Sequence, residues 1–99
     1  MDLRFEWDEN KNRANITKHG IDFRAAIPVF DDPFVLLEQD RDVGGEQRWV
    51  AMGWGQSTVL LLVAHAVKTG SGGVTIRIIS ARAATRGERK RYEENCNLR

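Results

Sequence analysis

The sequence predicts an α+β fold, an antiparallel sheet flanked by helices in the order β-α-α-β-β-β-β-α. The apolar spacing opens with period two, changes to helical spacing, and returns to β-branched runs from residue 33. Gly44-Gly45, Gly55-Gln56 and Gly70 to Gly73 punctuate those runs as turns, so the four later strands form a meander. Helical segments lie before and after the meander, which is the arrangement of helices packed on an antiparallel sheet.

The first strand is read from Leu3, Phe5 and Trp7 alternating with Arg4 and Glu6. Asp8 then supplies a helix cap, Glu9 suits the positive N-terminal end, and Gly20 supplies a left-handed stop after Lys18 and His19, so residues 9 to 19 are expected to be helical. A second helix is expected after Asp22, because Phe23, Ala26, Ile27 and Phe30 form an apolar stripe. Pro28 removes one of its interior hydrogen bonds, so that helix is expected to kink or stay short. Strands are expected at Phe34 to Leu37, Gln47 to Trp54, Val59 to Val67 and Val74 to Ala81. Thr85 with Glu88 three residues later is a capping box, opening a last helix that runs to about Asn95.

The chain has 99 residues, 41% of them hydrophobic and 29% charged, enough for one modest core, and 1–99 reads as a single domain. The longest apolar run, Val59 to Ala64, is far short of the roughly 20 residues a membrane helix needs, and the acidic start is unlike a secretory signal. A cytoplasmic protein with no membrane contact is therefore expected. The single cysteine, Cys96, excludes an internal disulfide and a cysteine-rich zinc site, and no metal or other cofactor is expected. The net charge of +1 conceals a division. Residues 1 to 46 hold six Lys and Arg against eleven Asp and Glu, and residues 47 to 99 hold nine against three. The cations are densest from Arg82 to Arg91, which suits a polyanion or an acidic partner and equally suits a solvated helix face.

No phosphate-binding glycine loop, HExxH or GxSxG is present. What remains is polar residues in unusual places. Lys11, Asn15, Lys18 and His19 share one stripe of the first helix. His65 alternates onto a face with Val59, Leu61, Val63 and Val67, where a histidine is more often a packed core or rim residue than a catalyst. Arg48 shares a face with Val50, Met52 and Trp54, and Arg77 lies mid-strand among hydrophobes. A guanidinium cannot shed its charge, so each needs a partner, and Glu46 or Asp42 offers one internally. A phosphate is the alternative. Metal-free RNA cleavage needs a base for the 2′-hydroxyl, cations for the phosphorane and an acid for the leaving oxygen, roles that His, Arg, Lys and Tyr fill.

Phe5-Glu-Trp7-Asp8, Lys11, Asn15, Lys18-His19-Gly20-Ile21, Phe23, Ala26 and Val29-Phe30-Asp31-Asp32-Pro33 resemble the BrnT family of small bacterial toxins. Glu46-Gln-Arg48, Gly53, His65, Arg77-Ile-Ile-Ser80-Ala81-Arg82, Ala84, Glu88-Arg89 and Tyr92 continue the resemblance in the same order, over roughly residues 5 to 93. The resemblance implies the RelE-like ribonuclease toxin architecture and a metal-independent endoribonuclease that inhibits translation. It implies RNA as substrate and a BrnA-like antitoxin as partner. That antitoxin joins the toxin in a heterotetramer and supplies the only, indirect, contact with operator DNA. It also implies Arg48, Arg77 and Arg82 as phosphate clamps, with His19 or His65 as base or acid. Lys11, Lys18, Arg86, Arg89 and Tyr92 would hold the RNA. The rival expectation is a non-catalytic toxin-fold module that pairs with an antitoxin or binds nucleic acid.

Overall fold

A computed structural model of the chain describes residues 3–97. Its elements are β1 (Leu3–Glu6), α1 (Glu9–His19), a 3₁₀ segment (Phe23–Asp31), β2 (Leu36–Val43), β3 (Glu46–Trp54), β4 (Leu60–Gly70), β5 (Gly73–Ala83) and α2 (Arg86–Asn97). One five-stranded sheet has the order β1-β5-β4-β3-β2. The meander β2 to β5 is antiparallel as expected, whereas β1 joins β5 in parallel with Phe5 opposite Ile76 and Glu6 opposite Arg77. The sheet is therefore mixed. The expected strand at Phe34 to Leu37 begins two residues later and runs on to Val43, because the polar stretch after Leu37 continues pairing with β3 as a solvent-facing edge.

Asp8 caps α1 by accepting from the Asn10 and Lys11 amides at 2.8 and 3.3 Å, and Gly20 ends it at φ 72°. The helix has no apolar face. It docks through two buried asparagines instead: Asn12 Oδ1 accepts from the Phe23 amide at 2.8 Å, and Asn15 spans the Ala81 backbone. Beyond its last β1 partner, Arg77, the outer edge of β5 has no neighbouring strand. Asn15 occupies that edge, its Nδ2 donating to Ala81 O at 2.8 Å and its Oδ1 accepting from Ala81 N at 3.1 Å. A side-chain amide thus substitutes there for a strand's backbone.

The segment after Asp22 is 3₁₀ rather than a kinked α-helix. Pro28 can neither donate nor tolerate an α-helical carbonyl four residues back, and a 3₁₀ turn suits the buried positions better. Phe23, Ala26 and Val29, three apart, are fully buried, while Ile27 and Phe30 are only partly so. These three pack on Ala51, Leu61, Val63, Ile76, Ile78 and Ala81, forming the core on one face of the sheet. On the other face α2 lays Tyr92 over Met52 and Leu60. It covers only part of that face.

Candidate functional site

Strand alternation assigns the polar side chains to faces. Arg48 lies two residues before Val50 and four before Met52, and Met52 pairs with Leu62, which pairs with Arg82, so Arg48 and Arg82 belong to the face that α2 partly covers. Arg77 pairs with Ala66, and the β3–β4 register extended by one residue places Arg48 on the opposite side of Ala66. Only an alanine methyl separates the two arginines. Both turn to one carboxylate: Glu46 accepts an ion-paired hydrogen bond from Arg77 Nη2, and its Oε1 lies 3.8 Å from Arg48 Nε. That Nε is buried and has no hydrogen-bond partner. The internal partner expected at Glu46 is therefore real for Arg77 and incomplete for Arg48. Beside Glu46 and Arg77, a cleft of about 310 Å³ is also lined by Glu6, Lys68 and Thr75.

Arg82 stands at the border of sheet and α2, where its guanidinium forks onto Glu88 at 2.8 and 2.9 Å. Glu88 completes the capping box, its Oε1 accepting from the Thr85 amide at 2.8 Å while its own amide donates to Thr85 Oγ1 at 3.2 Å. The Arg82 fork, aided by that amide bond and opposed by burial, draws the Glu88 carboxyl down to about 2. Arg82 therefore orders the start of α2, with three of its five donors taken, two by Glu88 and one by Ala83 O at 3.3 Å. Further along, Arg91 pairs with Glu38 and Asn95 Nδ2 donates to Phe34 O at 3.0 Å, which clips α2 to β2 and the loop before it.

Tyr92 is buried, and its hydroxyl donates to Asp32 Oδ2. Asp32 also accepts from the Trp54 amide at 3.0 Å and from the Phe34 amide at 2.8 Å, so one carboxylate joins the 3₁₀ segment, β3 and α2. A Cβ at Gly53 would stand 3.0 Å from Asp32 Oδ2 and 3.1 Å from Val29 O, so a side chain there requires that carboxylate to shift by a few tenths of an ångström. Burial, then the Asp32 hydrogen bond, pushes the Tyr92 phenol above its usual range.

His65 sits on the core face, 2% exposed, with its ring edge-on to Phe30 at 4.9 Å between centroids. Its Nδ1 lies 3.1 Å from Val63 O, and burial holds the imidazole below its ordinary value. His19 and Lys18 are exposed in the last turn of α1 and Lys11 is exposed near its start, while Asn15 of that stripe is turned inward to Ala81. Arg86 and Arg89 are exposed on α2, with the Arg89 guanidinium 5.3 Å above the Trp54 ring. The structure thus brings Arg48 and Arg77 together and leaves Arg82 along the same face. His65 lies on the opposite face, and His19, Lys11 and Lys18 lie on α1. Sequence reasoning missed the cleft residues Lys68, Thr75 and Glu6, the Asp32 junction and the docking role of Asn12. The Asp31-Asp32-Pro33 run carried a signal for the junction, since an Asp before Pro readily caps the turn that follows.

These features define a small α+β protein with one sheet face divided between a packed helix and an open cluster of arginines. Residues 7–88 match the family described as "Ribonuclease toxin, BrnT, of type II toxin-antitoxin system", and the chain belongs to that family. It is accordingly a toxin of a type II toxin-antitoxin system, a class whose partner is an antitoxin. The 1.1 Å crystal structure of the Brucella abortus ribonuclease toxin BrnT is similar, with a TM-score of 0.60 and 25% identity over 86% of this chain and 100% of that one. No curated protein matches the chain. Among the described residues, no helix is long and apolar enough to cross a membrane.

Proposed function

We propose that this toxin is a metal-independent endoribonuclease whose cleavage site is the open half-face at Arg48 and Arg77. The observation that carries this reading is the pairing of two mid-strand guanidiniums across Ala66, one of them with a buried Nε lacking any acceptor. Such a donor is costly to bury unless an acceptor arrives, and a phosphate oxygen is the acceptor that best matches two converging arginines. As a scissile phosphate becomes pentacoordinate its oxygens gain charge, and donors fixed by strand backbones meet that charge without reorganising. Arg82 extends the cationic surface toward α2, where Arg86 and Arg89 would hold the flanking RNA backbone. Lys11, Lys18 and His19 on α1 are a second exposed cationic stretch for a long substrate. Cleaving RNA in the cytoplasm would block translation. A BrnA-like antitoxin would silence the site by covering it, form the heterotetramer, and make the contact with operator DNA.

Purified chain incubated with RNA in chelator tests the reading. Cleavage that persists in EDTA and is lost in Arg77→Ala supports it. Activity that disappears in EDTA and returns with magnesium overturns metal independence. A second reading, a module that binds antitoxin or RNA without cutting, is favoured by the carboxylate partners already held by Arg77, Arg82 and Arg91. It expects RNA to be bound and recovered intact.

A further inference from the structure

We infer that Glu46 is the proton acceptor of the reaction, the group that takes the 2′-hydroxyl proton when a phosphate is seated between Arg77 and Arg48. This inference rests on the proposed ribonuclease reading and assigns to it a base that the histidines do not supply. His65 is enclosed in the core against Phe30, on the face away from the arginines. The Tyr92 hydroxyl is spent on Asp32 beneath α2. His19 belongs to α1, which docks on the free outer edge of β5 through Asn15. Glu46, by contrast, opens β3 beside both guanidiniums, with its side chain 40% exposed and lining the cleft.

The geometry suits a base more than a permanent ion pair. Arg77 directs one Nη2 donor at Glu46 and keeps others for a phosphate, and Arg48 Nε lies 3.8 Å away, too far to be satisfied by the same carboxylate. A phosphate bridging the two arginines would satisfy that Nε and bring the adjacent ribose hydroxyl beside the Glu46 carboxylate, within reach of its proton. In the step itself, Glu46 takes the proton as the 2′-oxygen forms its bond to phosphorus. The bond from phosphorus to the 5′-oxygen breaks, and that oxygen takes a proton from water entering the cleft. Glu46 then returns its proton to solvent. The products are a 2′,3′-cyclic phosphate and a 5′-hydroxyl, with no change of oxidation state.

The test compares the wild-type chain, Glu46→Gln, Glu46→Asp and Arg77→Ala in RNA cleavage rate from acidic to alkaline pH, with RNA affinity measured alongside. General-base catalysis is worth roughly 10² to 10⁴ in rate. Glu46→Gln is expected to lose that factor, bind RNA at least as tightly because a negative charge has gone, and lose the acidic limb of the pH profile. Glu46→Asp is expected to be slowed but to retain the acidic limb, which keeps the test valid if the Gln variant folds poorly. Cleavage by Glu46→Gln with an unchanged acidic limb, fast or slow, overturns the inference. If Arg77→Ala is then inactive, the arginine site survives and Glu46 alone is removed from it. Wild-type activity in Arg77→Ala, or none in the wild-type chain, removes the site and the base together.

Discussion

Replacing Asn15 by alanine removes the one side chain that closes the free edge of β5 against α1. Three hydrogen bonds go with it, two to the buried backbone of Ala81 and one, at 2.9 Å, to Ile21 O. The Ala81 amide and carbonyl then have neither strand nor solvent as partner, and each buried group left unsatisfied costs about 1–3 kcal/mol. Two such groups cost about 2–6 kcal/mol together and alanine's better helix propensity returns roughly 0.6 kcal/mol, so the net loss is about 1.5–5 kcal/mol. In a chain of this size each kcal/mol shifts the melting temperature by about 4–8 °C, so Asn15→Ala is expected to melt at least about 6 °C below wild type. Thr17→Ala, at an exposed position of the same helix, should stay within about 0.5 kcal/mol and serves as the control. Thermal melts followed by circular dichroism read both. A fall under about 4 °C would show that the Ala81 backbone does not depend on Asn15.

The remaining expectations concern charge and the α2 face. Tyr92→Phe removes the Asp32 hydrogen bond and is expected to cost about 1–2 kcal/mol in urea unfolding, with RNA affinity per folded molecule unchanged, because the hydroxyl is not presented to solvent. Glu88 is depressed from 4.5 to about 2, so it binds protons more readily unfolded than folded. Its stabilisation is complete above the unfolded value and is lost as pH falls from about 5 toward 2, and Glu88→Gln should flatten that loss in urea midpoints. His65, also lowered on folding, adds an earlier loss that starts as pH falls below 6.5, since the unfolded imidazole charges first. Charge reversal at Arg86 and Arg89 together should weaken RNA binding and antitoxin binding alike, more at low salt than at high. Titrations with each partner would reveal separate faces if antitoxin affinity held while RNA affinity fell.

The sequence carried most of the backbone and less of the site. Capping by Asp8, the Gly20 stop, the Thr85 and Glu88 box and the four-strand meander were all legible, because each depends on residues near one another in the chain. The parallel partner of β1 was not, since Leu3–Glu6 meets β5 about 70 residues later and nothing in a four-residue strand states direction. Asn15 read as one residue of a polar stripe with Lys11, Lys18 and His19, and Asn12 drew no reading, because a docking amide is indistinguishable by type from a solvated one until the unpaired edge of β5 is known. The apolar stripe of residues 23 to 30 had both three- and four-residue spacings, and Pro28 decided between them. At the site, the need of Arg48 and Arg77 for a carboxylate was visible, and Glu46 was one of two candidates. Which arginine it would satisfy depended on the register of three strands. The alternation correctly grouped His65 with Leu61 and Val63, and only the packing of Phe30 made that face interior.

Analysis of the RNA ends left by the purified chain in EDTA tests the central claim most directly. If Arg48 and Arg77 hold a phosphate while the neighbouring 2′-hydroxyl attacks it, the wild-type chain leaves 2′,3′-cyclic phosphate and 5′-hydroxyl termini. Arg48→Ala and Arg77→Ala should each reduce their yield by on the order of a hundredfold, the value of one fixed donor to the developing charge. Intact RNA, termini with a 5′-phosphate, or full yield from both arginine variants would contradict the account.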